Sequence, residues 1–146
     1  MSDLTLSSPD FQNNGKIPSK FTCQGDDINP ELNIENIPLE TKSLVLILDD
    51  PDAPSGSWIH WILFNIPPST TKIQENSIVG EQGENSWSNR NYNGPCPPSG
   101  THRYVFKLFA LDIVLEIFSP DKKKLENAMQ ERILAKTELT GLYRKI

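Results

Sequence analysis

Basic residues are the minority charge in this 146-residue chain, with 14 Lys and Arg against 19 Asp and Glu and a formal net charge of −5. Affinity for a phosphate backbone rests on a basic surface, so the balance argues against a general nucleic-acid binder, although a pocket can be locally cationic on an acidic protein. Cysteine is scarcer still. Cys23 and Cys96 are the only two, neither has the spacing of a zinc site, and in a reducing compartment they read as free thiols rather than a bridge. The apolar runs are too short and interrupted to span a bilayer. Met1-Ser2-Asp3-Leu4 carries an acid early and no basic segment followed by an apolar run, so no secretory leader is expected and a cytoplasmic protein is the expectation. No Gly/Ser tract, low-complexity run or fixed-period repeat divides the chain. Residues 1–146 should therefore form one domain, long enough to bury a core without metal or disulfide support.

What the chain does hold is mostly strand signal. Residues 44–48 form an unbroken apolar run stopped by Asp49 and Asp50, as expected of a strand buried on both faces. Residues 59–66 and 104–113 are similar, rich in aromatic and β-branched residues and bounded by Pro67-Pro68 or by the loop at Gly100. Residues 81–99 hold many Asn, Ser, Gly and Pro and few aliphatic residues, which predicts a long loop of the kind that usually carries function. One helix is expected late in the chain, with Ser119 as N-cap, Pro120 at the first helical position and Asp121 near the positive end of the dipole. Leu125, Met129 and Ile133 would make its core-facing stripe, and Gly141 a turn beyond it. Strands with a single late helix predict a mainly β fold, a β-sandwich.

Both histidines of the chain fall in short proline-flanked stretches. These are Asp50-Pro51-Asp52-Ala53-Pro54, Trp58-Ile59-His60-Trp61 and the run from Pro97 to Tyr104. Side chains at i and i+2 of a strand share a face, so Asp50 with Asp52, Trp58 with His60, and His102 with Tyr104 can project together into one pocket if the strands are neighbours. Taken singly, an Asp-Pro-Asp is usually a turn and a lone His in an apolar strand usually a satisfied core residue. The repetition favours a site. Imidazoles and a phenol suit a phosphoryl oxygen, a carboxylate can orient an imidazole through its other nitrogen, and rigid prolines lower the ordering cost of binding. Arg103 lies between His102 and Tyr104 and should point the other way, toward an acid such as Asp49 or Asp112. Two alternatives use the same residues. One is a hydrolase with an Asp/His base and Ser57 or Ser99 as nucleophile, although no G-x-S-x-G elbow exists. The other is a metal site made by Asp50, Asp52, His60 and His102, whose spacing matches no recognised pattern.

In order and separation, these blocks resemble the phosphatidylethanolamine-binding protein family, also called Raf kinase inhibitor protein-like. Residues 17–25 (Ile-Pro-Ser-Lys-Phe-Thr-Cys-Gln-Gly) and 139–144 (Leu-Thr-Gly-Leu-Tyr-Arg) are similar to its compact prokaryotic branch. The resemblance implies a Greek-key β-sandwich of two antiparallel sheets with one C-terminal helix. It also implies a small pocket for anions such as phosphate and phosphorylated head groups, phosphoethanolamine among them. On the family's motifs the pocket positions are Asp50, Asp52, Trp58, His60, Pro97, Pro98, His102 and Tyr104. No cofactor, metal or catalytic residue is implied. The implied role is a non-enzymatic, modulatory or inhibitory one toward a kinase or protease partner, without integral membrane association, and both a monomer and a homodimer are compatible. Departures are visible. Ile59 stands where animal members carry a second histidine beside His60, the loop before His102 is shorter, and the C-terminal segment near the pocket mouth is absent.

Overall fold

A computed structural model describes residues 3–146. The apolar run at 44–48 becomes the centre of a six-stranded sheet because both of its faces are covered. The strands are β1 (Thr5–Ser7), β2 (Gly15–Lys16), β3 (Leu32–Glu35), β4 (Ser43–Asp50), β5 (Trp58–Ile66), β6 (Lys72–Ile73), β7 (Glu81–Gln82), β8 (His102–Leu111) and β9 (Ile133–Tyr143), with helix α1 (Lys122–Met129) before the last. The large sheet runs β2-β9-β8-β4-β5-β7 and the small one β1-β3-β6. All pairings are antiparallel except that of β2 with β9. After β5 the chain passes through β6 and β7 and returns as β8 on the other side of β4, a Greek-key connection. The expected sandwich of two sheets with one helix is what forms.

Alternation along β4 sorts the core. Leu44, Leu46 and Leu48 pack with Phe106, Leu108 and Leu139 between the sheets, whereas Val45 and Ile47 point to the opposite face and pack with Leu125 and Met129 of α1. Among the described residues no helix is long and apolar enough to cross a membrane.

Several local expectations are corrected. The N-cap is Asp121, whose side chain accepts from Lys124 N at 2.9 Å, and the helix starts at Lys122. Ser119 adopts φ +49° and lies outside the helix. The helix ends at Met129, and Glu131 at φ +64° turns the chain so that Ile133 opens β9. The four-residue spacing to Ile133 thus spans a helix and a strand, which periodicity alone does not separate. Gly141 is no turn: it sits inside β9 opposite Gly15, and any Cβ there would overlap the Ile17 side chain. Cys23 and Cys96, expected as free thiols on compartment alone, form a disulfide with Cα atoms 5.5 Å apart. Cys23 N donates to Pro95 O at 3.1 Å, so tertiary pairing of two segments 73 positions apart puts the sulfurs together.

Candidate anion pocket

The three stretches meet at one end of the large sheet, because β4 lies between β5 and β8 and Asp50 closes β4 where Trp58 opens β5 and His102 opens β8. Asp50 pairs with Trp58 across β4 and β5, and Asp49 with Val105 across β4 and β8. Strict alternation along β5 would put His60 and Trp61 on opposite faces. The register, however, steps from Trp61 opposite Leu48 to Ile59 opposite Asp49, leaving His60 as the extra residue of a β-bulge. The bulge lets Trp61 join the core between the sheets while His60 lines a cavity of about 250 Å³ with Asp50, Trp58, Trp87, Pro98 and His102.

Each histidine is fixed through Nδ1. His102 Nδ1 donates to Asp50 Oδ2 at 2.8 Å, with both side chains nearly buried. His60 Nδ1 donates to Asn93 O at 2.6 Å. A carbonyl and a carboxylate only accept, so both neutral rings carry their proton on Nδ1 and present a bare Nε2. Neither Nε2 has a hydrogen-bond partner among the described residues. Burial pushes the His60 pKa below its ordinary value, and the Asn93 carbonyl and the Asp50 charge oppose that only in part. Tyr104 lies beneath the two rings, edge-on to His60 at 5.3 Å and stacked on His102 at 6.3 Å. Its buried hydroxyl has no partner at hydrogen-bonding geometry. Burial, followed by the Asp50 charge, raises its pKa well above that of a free phenol.

Not every expected residue lines the cavity. Asp50 accepts Asp52 N through Oδ1 at 2.9 Å, an Asx-type turn that lifts Asp52 off the strand. Asp52 therefore faces outward and takes a two-pronged contact from Arg103, with Nε and Nη2 at 3.0 and 2.8 Å from its oxygens. That contact holds the Asp52 carboxyl at about 2, below its ordinary 3.8. Arg103 does point away from His102 and Tyr104 as alternation requires, but its partner is Asp52. Asp49 instead takes Lys107 at 3.1 Å and the Ser57 hydroxyl, and Asp112 takes Arg132 at 3.6 Å. Pro98 is in the lining, while Pro97 and Tyr104 are buried behind it.

Sequence reasoning missed Trp87. It stands 41% exposed at the pocket mouth, edge-on to Trp58 at 5.5 Å and to His60 at 4.9 Å. A tryptophan in an otherwise polar loop was the available signal. Its position is set by Asn85, a buried side chain whose Oδ1 accepts Trp87 N at 3.0 Å and whose Nδ2 donates to Asn93 Oδ1 at 2.6 Å. The same amide thus positions Trp87 and the residue whose carbonyl holds His60. Among the described residues, no group of three or more His, Cys, Asp or Glu side chains converges as metal ligands.

The molecule is thus a two-sheet β-sandwich that carries a small polar and aromatic pocket at the end of its central strands. The chain belongs to the phosphatidylethanolamine-binding protein family, whose profile matches residues 7–144. It is 45% identical to a UPF0098 protein of Methanothermobacter thermautotrophicus over 97% of this chain and 99% of that one. It is 42% identical to a UPF0098 protein of Chlamydia pneumoniae with the same coverage. The crystal structure of a phosphatidylethanolamine-binding protein homologue from Chlamydia trachomatis is similar with a TM-score of 0.97 at 40% identity, both chains being covered in full. E. coli YbcL, at 24% identity, shares the fold with a TM-score of 0.91 over 99% of this chain and 100% of its own.

Proposed function

We propose that the pocket binds a small anion, inorganic phosphate or a phosphorylated head group such as phosphoethanolamine, between His60 Nε2 and His102 Nε2. The observation that carries this reading is the pairing itself. Both imidazoles spend Nδ1 on the protein and keep Nε2 without a protein partner, beside a buried Tyr104 hydroxyl that also lacks one. Bare Nε2 atoms accept rather than donate, so anion binding is accompanied by uptake of a proton onto an imidazole Nε2, and each ring that becomes imidazolium gains a charge-assisted hydrogen bond to the anion. Asp50 supports that charge on His102, and Trp58 and Trp87 provide apolar walls for the organic part of a head group. The role is non-enzymatic and modulatory, the bound ligand biasing affinity for a protein partner such as a kinase or protease. The serines of the hydrolase alternative give it little support. Ser57 donates to Asp49 on the other face of β4, and Ser99 makes no hydrogen bond among the described residues.

Titration calorimetry with phosphate and phosphoethanolamine tests the site. The unsubstituted protein should bind and a His60→Ala, His102→Ala double variant should not; equal affinity in both would sink the assignment. For the role, partner capture should depend on the ligand, and turnover of phosphomonoesters or esters lost in the same variant would replace it with an enzyme.

A further inference from the structure

The disulfide reaches from solvent to the pocket. Cys23 is exposed, whereas Cys96 is part of the cavity lining. Up to Pro95 the pocket loop is tied to the body by hydrogen bonds: Gly94 N donates to Asp27 Oδ1 at 2.8 Å, and Pro95 O accepts from Cys23 N at 3.1 Å. Beyond Cys96 those ties stop. Pro97, Pro98, Ser99, Gly100 and Thr101 make no hydrogen bond or ion pair among the described residues, and two of the five have no N–H to donate. Gly100 adopts φ +69° with open space around it. The chain is next held at His102, which pairs with Tyr143 in the β8–β9 ladder. Between Pro95 and His102, the wall that contributes Pro98 to the cavity is therefore held by the sulfur bridge, by the packing of buried Pro97 and by the approach of the Cys96 backbone to the Tyr104 hydroxyl, which falls short of hydrogen-bonding geometry.

We propose that the Cys23–Cys96 bridge is a thiol-responsive latch on the pocket wall: reduction by a small thiol releases residues 96–101 and weakens ligand binding, and reoxidation restores it. The consequence for ligand rests on the anion-pocket reading; the latch itself does not. The exchange begins with a thiolate attacking Sγ of Cys23, the more exposed residue of the pair. The Sγ–Sγ bond breaks, and its electron pair leaves on Cys96 Sγ, which takes a proton from water. A second thiolate attacks the reagent sulfur of the mixed disulfide and expels the Cys23 thiolate, which is protonated in turn. Two thiols are oxidised to one disulfide and the protein gains two electrons and two protons.

The test uses the full chain, oxidised, reduced with dithiothreitol, and as a Cys23→Ser, Cys96→Ser variant, each kept below its melting temperature. Backbone ¹⁵N relaxation follows Ser99, Gly100 and Thr101, with β4 as internal reference, and calorimetry follows inorganic phosphate. On reduction the order parameters of the three residues should fall from roughly 0.85 toward 0.6 or less while β4 stays rigid. Phosphate affinity should fall at least fivefold and return on reoxidation with glutathione disulfide. Unchanged order parameters overturn the latch, as does a bridge that dithiothreitol does not reduce in the native protein. Loss of order throughout the sheet also overturns it, since the bridge is then a general staple. If the oxidised protein binds no phosphate, the pocket reading falls, and the relaxation data still decide the latch.

Discussion

Asp50 and His102 stand 52 positions apart and meet at 2.8 Å in a nearly dry setting, where the carboxylate accepts the Nδ1–H hydrogen bond and leaves Nε2 as the bare nitrogen of the neutral ring. Asp50→Ala removes the acceptor from a buried N–H, which costs about 2 kcal/mol of stability. Phosphate affinity should fall about tenfold, as for loss of an orienting partner at a histidine ligand. Asp52→Ala, two residues on, should leave affinity within about twofold because that carboxylate faces Arg103 outside the cavity. Chemical denaturation and calorimetry on both variants check the contrast, and equal losses would refute it.

The depressed pKa of His60 makes binding proton-linked. For sulfate, which brings no proton of its own in this range, affinity should rise as pH falls, by up to about tenfold per pH unit for each proton taken up, and level off below the native pKa. The unligated protein behaves oppositely. Its His60 resists protonation more than the unfolded chain does, so this contribution to stability is fully present above the ordinary value of 6.5 and is lost as pH falls toward the lower native value. Calorimetry from pH 5 to 8 with unfolding curves at the same values measures both; a flat affinity profile contradicts the first.

Removing the bridge with Cys23→Ser and Cys96→Ser should lower stability by about 2–5 kcal/mol, since it releases a long span of the unfolded chain. Thermal melts of the variant against the oxidised protein give the figure. A difference below about 1 kcal/mol would contradict it.

Gly94→Ala tests the docking of the pocket loop. A Cβ there would overlap the Phe21 carbonyl oxygen and Asp27 Oδ1, and backbone cannot yield as a flexible side chain does. The expected cost is about 1–3 kcal/mol. Nearby, Asn85→Ala should disturb the Trp87–His60 contact while sparing the core, seen as a shifted His60 imidazole resonance with β4 and β8 amides unmoved. A His60 resonance that stays in place would show that Asn85 does not position it.

The three strands read from the sequence are the ones buried on both faces or nearly so, where composition and element coincide: β4, β5 and β8 match their apolar runs within about two residues. The short strands β1, β2, β6 and β7 carry two or three residues each, too few for any period to register. β9 was hidden for another reason. Its residues mix exposed and buried positions beside a helical spacing that runs on into Ile133.

At the pocket, residue types and their i, i+2 spacing determined that Asp50, Trp58, His60 and His102 could share one face, since alternation is a property of any extended chain. Tertiary structure decided the rest. A bulge placed His60 and Trp61 on the same side, an Asx turn removed Asp52 to Arg103, and the packing of residues 21–27 on residues 92–96 joined Cys23 to Cys96 and shaped the wall. Local sequence sets which side chains a strand can present. Which of them converge depends on register and on contacts between segments distant along the chain, and those are settled only when the whole sheet is assembled.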